Sequence, residues 1–119
     1  MDKAKVLVVE DNEQWQAVFA GRYGEQFELL QATTIEDGEE LFFANPDIGI
    51  VVMDACVPGD DPNSIPLVRK ISKTFTGKMI ASSGSSMFRQ MLVDAGCNHQ
   101  CDKHILIDIG YRLPDAGVA

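Results

Sequence analysis

The sequence predicts an α/β fold, a small doubly wound parallel sheet with helices on both faces. Three observations carry that expectation. Residues 6–9 and 48–53 form short apolar runs without polar alternation, the pattern of strands covered on both sides in a parallel sheet. Segments with helical spacing lie between runs of this kind. The length of 119 residues, with 45% apolar and 24% charged, fits one domain built around one core.

Taken in order, the first strand covers residues 6–9 and stops at Glu10 and Asp11. Trp15, Val18, Phe19 and Tyr23 follow at i, i+3, i+4 and i+8, giving a first helix one greasy face. A weaker strand fits residues 28–32. Thr34 is placed to cap a second helix that carries Ile35, Leu41 and Phe42, with Asp37 three residues after the cap. The third strand runs straight into Asp54. A polar loop, Asp60-Asp61-Pro62-Asn63-Ser64, leads to a third helix with Ile65, Val68, Ile71 and Phe75, capped by Asn63 or Ser64. A fourth strand at residues 79–82 ends at Ser82 and Ser83, and Met87, Met91, Leu92 and Ala95 mark a fourth helix. A fifth strand at 99–102 precedes Lys103, with a short fifth helix at 105–113. The domain is therefore expected over residues 1–113, with 114–119 as a linker-like tail.

Five strand–helix repeats joined by right-handed crossovers imply a flavodoxin-like (βα)5 sheet of order 2-1-3-4-5, with its ligand site outside the strand carboxyl ends, between strands one and three. Glu10, Asp11, Asp54, Ser82 or Ser83, and Lys103 all fall at that end. Neighbouring strands are about 4.8 Å apart, so three carboxylates from distant stretches should converge. Two carboxylates about 4 Å apart repel by roughly 4 kcal/mol at an effective dielectric near 20, so the cluster should recruit a cation or shift its pKa values. Magnesium suits an open site of few carboxylates plus a phosphate. Lys103 and a serine hydroxyl are parts for holding an anion. The consistent chemistry is attack by the Asp54 carboxylate on a phosphoryl group. Singly, each acid reads as a solvated loop residue, but that reading does not explain acids, hydroxyl and lysine at one end of successive strands.

Composition narrows the classes. Ten Lys and Arg against 18 Asp and Glu give a formal charge of −8, which disfavours direct binding to nucleic acid and to anionic lipid. The apolar runs are far shorter than the roughly 20 residues a membrane-crossing helix needs, so no membrane insertion is expected. Three cysteines, Cys56, Cys97 and Cys101, cannot all pair within the chain and suit a reducing, cytoplasmic compartment.

These residues resemble the receiver domain of two-component response regulators, of the single-domain chemotaxis type. The stretch from Lys5 to Glu13, with Glu10-Asp11 inside it, resembles that family's first strand and acidic pair. Val51-Val52-Met53-Asp54-Ala55-Cys56-Val57-Pro58-Gly59 resembles its phosphoacceptor strand, with proline four residues after the aspartate. Ala95-Gly96, with Lys103 seven residues after the glycine, resembles its last strand. The resemblance runs from about residue 5 to residue 113. It implies that Asp54 accepts a phosphoryl group from a histidine kinase or phosphotransfer protein, with Glu10, Asp11, Asp54 and the backbone carbonyl of Cys56 holding Mg2+. It further implies that Lys103 contacts the phosphoryl oxygens and that Ser83, or Ser82, follows them. On this reading the chain is a signalling switch that acts on its own phosphorylation state, has no separate substrate turnover, and passes its signal to a downstream effector protein.

Two positions depart from the pattern. His104 stands where the family has proline after the lysine, and Gln100 stands where it has the switch aromatic, three residues before the lysine. They motivate an alternative, a pseudo-receiver that binds protein partners without being phosphorylated. A haloacid-dehalogenase-like phosphatase would also use an aspartate at a strand end, but it needs a second aspartate two residues on, where this chain has Cys56. Cys97, His99, Cys101 and His104 lie close in sequence, yet their spacing matches no zinc knuckle, and the two cysteines read as small buried hydrophobes. Trp15, four residues after Asp11, is expected to pack in the core or partly cover the acidic site.

Overall fold

The computed structural model describes residues 3–113 and 117–118. Its elements in order are β1 (Lys5–Val9), α1 (Glu13–Tyr23), β2 (Glu28–Ala32), α2 (Ile35–Ala44), β3 (Ile48–Asp54), α3 (Ile65–Ser72), β4 (Lys78–Ser82), α4 (Ser86–Ala95), β5 (His99–Cys101), α5 (Lys103–Leu106) and β6 (Gly117–Val118). The first five strands are parallel and follow the expected order 2-1-3-4-5. β6 adds a short antiparallel strand beside β5, pairing Val118 with His99 and Gly117 with Gln100. Two residues of the expected tail thus belong to the sheet, and residues 114–116 and 119 lie outside the described residues.

Period-two geometry divides the core in two. Leu7, Val9, Val51, Met53, Met79 and Ala81 face α2, α3 and α4, packing against Phe42, Leu67, Val68, Ile71 and Leu92. Val6, Val8, Val52 and Ile80 face the other way, onto Trp15, Phe19 and Tyr23 of α1 and onto Leu106 and Leu113. The central strands lose their side chains to protein on both sides, which is why they lack polar alternation. The α1 aromatics form a ladder, with ring centroids 5.2 Å apart for Trp15–Phe19 and 4.7 Å for Phe19–Tyr23.

Caps place the helices at the upper end of the sheet. The side chain of Asn12 accepts from Trp15 N at 2.9 Å, Thr34 accepts from Asp37 N at 3.1 Å, and Ser85 accepts from Phe88 N at 3.2 Å. Ser64 occupies the cap position of α3, but its hydroxyl donates to Ala55 O at 3.0 Å instead of capping. Asn63 clamps the same loop, accepting from Val57 N and donating to Val57 O, both at 2.7 Å. Gly38 lets α2 approach β1, since a Cβ there would meet a Val9 methyl at 2.8 Å. Gly96 ends α4 with φ of 144°, a conformation that favours glycine.

The last helix differs from expectation. It is a single turn beginning at Lys103, not a helix over 105–113. Asp102 starts it early by accepting from His104 N at 2.8 Å. Side chains from α1 then hold the chain on its non-helical path: Tyr23 Oη donates to Leu106 O at 2.6 Å, a carbonyl that a longer helix would use, and Arg22 donates to Tyr111 O at 2.8 Å. Gly110, with φ of 87°, turns the chain out of any helical path.

Candidate functional site

Parallel pairing of β1 with β3 sets Val9 beside Met53, so the next residues, Glu10 just past β1 and Asp54 at the last position of β3, stand side by side at the edge of the sheet. Glu10 N donates to Ala32 O at 3.0 Å, which extends the β1 path one residue past its strand. Carboxylate oxygens of Glu10, Asp11 and Asp54 all lie within 4.8 Å of one another. Lys103 arrives from the β5 side, its Nζ 2.5 Å from Glu10 Oε1 and 3.9 Å from Asp54 Oδ1. The convergence expected of the strand ends is therefore present, with Asp54 inside side-chain reach of both Asp11 and Lys103.

The acids are not solvated loop residues. Glu10 is 1% exposed and Asp54 6%, while Asp11 is half-buried. Glu10 Oε2 accepts from Asn12 N at 2.9 Å and Asp54 Oδ1 accepts from Ala55 N at 3.0 Å, so each carboxylate is aimed by backbone. Burial first, then the charge of Glu10, pushes the Asp54 carboxyl up to about 7, with Lys103 opposing the rise and Asp11 adding to it. Lys103 moves upward as well, because its hydrogen bond to Glu10 and the surrounding carboxylates outweigh an opposing desolvation. The Cys56 thiol is raised by burial and by the charge of Asp54.

An open cleft of about 490 Å³ lies above these groups, and Asp54, Lys103 and Ser83 all line it. Cys56 and Phe88 also line it. Ser83 Oγ accepts from Ser85 N at 3.1 Å, which leaves its proton to donate elsewhere. Ser82 stands opposite Asp54 in the β3–β4 register, and its buried hydroxyl has no hydrogen-bond partner among the described residues. The donor set fits a hard divalent cation: among the described residues three carboxylates and no thiolate or imidazole meet at the convergence point, and the cleft is open to solvent for waters.

Two supporting residues, Gln16 and Arg89, carry no signal in the sequence. Gln16, at 5% exposure, donates its side-chain amide to Glu10 O at 3.2 Å and Ala32 O at 3.1 Å, bracing the turn that presents the acids. Trp15 does more than fill the core: its Nε1 donates to Lys103 O at 2.8 Å and its ring lies 5.9 Å from the ammonium. Arg89 donates to Ser83 O at 2.7 Å. The cysteine–histidine group does not assemble. Cys97 is buried in the core, its thiol pushed up to about 12 by that burial, and Cys101 Sγ contacts Tyr111 Oη at 3.3 Å. His104 is exposed.

Comparison with known proteins bears on the fold. No protein-family model matches the sequence, and no curated protein matches it either. Solved structures do match. A two-component response regulator from Clostridium difficile superposes with a TM-score of 0.74 at 13% identity, over 94% of this chain and 88% of that one. A Burkholderia pseudomallei response regulator, bearing a phosphorylated aspartic acid, a calcium ion and citrate, gives 0.70 at 18% identity over 82% of this chain; the match spans only 58% of that longer chain. The receiver domain of Saccharomyces cerevisiae Ssk1, in complex with the histidine phosphotransfer protein Ypd1, gives 0.69 at 21% identity, over 86% and 79%. This chain has the fold of a response-regulator receiver domain.

Proposed function

From that fold and the acid–lysine set at its strand ends, we propose that the chain is the phosphoacceptor receiver of a two-component or phosphorelay system, with Asp54 as the acceptor. The single observation that carries the reading is the convergence of Glu10, Asp11 and Asp54 beside Lys103 at the carboxyl edge of the sheet. Mg2+ would be held by Glu10, Asp11, Asp54 and the backbone carbonyl of Cys56, and would supply neutralisation of charge on the phosphoryl oxygens. The partners that fit are a histidine kinase or phosphotransfer protein as donor and a protein effector downstream, all on the cytoplasmic side. Among the described residues no helix is long and apolar enough to cross a membrane.

The chemistry follows from the charges. An ionised Asp54 oxygen forms the new bond to phosphorus as the bond from phosphorus to the donor histidine nitrogen breaks and the imidazole leaves. Asp54 enters that step only as the carboxylate, so its raised pKa is a barrier that added positive charge removes. Lys103, already drawn toward Glu10 and Asp54, would pair with the phosphoryl oxygens, and Ser83, which lines the same cleft, would donate to them. The product is an acyl phosphate on Asp54 whose presence, not its turnover of a second substrate, is the signal.

Trp15 gives a direct test, since its ring lies beside Lys103 and its Nε1 holds that residue's carbonyl. Titration with Mg2+ should change its fluorescence at millimolar metal, and beryllofluoride should bind in the presence of Mg2+. No response to either would point instead to a phosphorylation-independent binding module.

A further inference from the structure

Arg89 lies on α4, outside the groups assigned to phosphoryl chemistry, yet its guanidinium touches both elements that carry them. It donates through Nη1 to Ser83 O at 2.7 Å and through Nε to Gln100 Oε1 at 3.4 Å. The same Nη1 stands 3.9 Å from Asp102 Oδ2. The side chain is 18% exposed, so these contacts are shielded from water. Ser83 carries the hydroxyl that lines the cleft. Asp102 directly precedes Lys103 and starts α5. A planar fork of five donors therefore joins the hydroxyl side of the anion site to the ammonium side, a span that the point charge of a lysine does not reproduce.

Gln100 stands on β5, and its amide oxygen is an acceptor for Arg89. The Ser83 carbonyl that holds Arg89 belongs to the residue that lines the cleft with Asp54, so a displacement of Ser83 toward an anion there would act directly on the guanidinium. We propose that Arg89 is a positioning residue that couples the Ser83 hydroxyl to Gln100 and Asp102, so that occupancy of Asp54 changes the guanidinium's partners and, through them, the β5–α5 junction. The coupling rests on the phosphoacceptor reading. As Ser83 moves, the guanidinium trades its hold on the Ser83 carbonyl for closer contact with Asp102, where the present separation leaves room for a shorter charge-assisted bond.

Amide hydrogen exchange on the full chain, with and without Mg2+ and beryllofluoride, tests it. In the unaltered protein the mimic should change protection both at residues 83–89 and at 99–104. R89K keeps the charge and most of the stem; it should bind the mimic within about tenfold of the unaltered protein while losing the change at 99–104. Q100A, which removes one acceptor and leaves the other two, should reduce that change. Full transmission to 99–104 in both variants, or a bound mimic that leaves 99–104 unchanged in the unaltered protein, overturns the coupling alone. Failure of the mimic to bind the unaltered protein overturns the phosphoacceptor reading and the coupling together.

Discussion

Lys5 and Lys103 each face two carboxylates, at opposite ends of the same sheet, with opposite consequences for the acids. Lys5 lies 2.9 Å from Asp47 and 3.8 Å from Glu28, whose side chains are 63% and 54% exposed. Its hydrogen bond holds the Asp47 carboxyl below the usual range. Lys103 has a similar pair of distances to Glu10 and Asp54, yet Asp54 is pushed up to about 7. Burial accounts for the reversal. At the surface, water screens the carboxylates from each other and one ammonium is enough. Under the cleft, Glu10, Asp11 and Asp54 outnumber the ammonium in a medium that screens poorly, so the surplus charge is met by a proton or by a further cation. The lower cluster is complete in itself, whereas the upper one is built to take something in.

Removing the central acid should break that contrast most completely. D54N should abolish phosphoryl acceptance and beryllofluoride binding, and without metal at pH 8 it should stabilise the fold by on the order of 2 kcal/mol through relief of repulsion. The sign over pH follows from the raised value. The native protein keeps the Asp54 proton that the unfolded chain releases above 3.8, so stability from this group falls as pH rises from about 4 to about 7, and the loss is complete above that. Thermal melts across this window should show the fall in the unaltered protein, a flatter profile in D54N, and recovery with Mg2+.

The lysine comes next. K103M leaves the buried Glu10 carboxylate without its partner and should cost about 3 kcal/mol, measured by urea unfolding, with part recovered by millimolar Mg2+. A smaller effect is expected from the hydroxyls: S83A should weaken beryllofluoride about tenfold or more by deleting a bond to a charged group, and S82A should weaken it less. A reversed order would assign the role to Ser82, whose buried hydroxyl lacks a partner among the described residues. K5Q should change least, leaving Mg2+ and mimic binding as they were, because its pair is exposed and remote from the cleft. A K5Q effect on binding as large as that of K103M would remove the distinction between the two ends.

The residues of the upper cluster were readable because each stands at the end of a strand or just past it. Continuous apolar runs mark β1 and β3, and parallel pairing then dictates that Glu10 and Asp54 emerge together. What was not readable depends on where side chains turn after the backbone is set. Arg89 finds its acceptors six residues before it, eleven after and thirteen after, a pattern with no periodicity to detect. Gln16 looks like any polar residue on an amphipathic helix until α1 places it under the β1 and β2 carbonyls. The shortness of α5 depends on Tyr23 and Arg22 of α1 claiming carbonyls more than eighty residues away, and β6 on two residues too few to show alternation.

The most direct test of the acceptor assignment is the mass of the chain, and of its Asp54-containing peptide, after incubation with Mg2+ and acetyl phosphate. A gain of one phosphoryl group located at Asp54, labile to hydroxylamine and absent when Mg2+ is chelated, is the expected result. An unmodified mass in folded protein, or a phosphoryl group on any other residue, would contradict it.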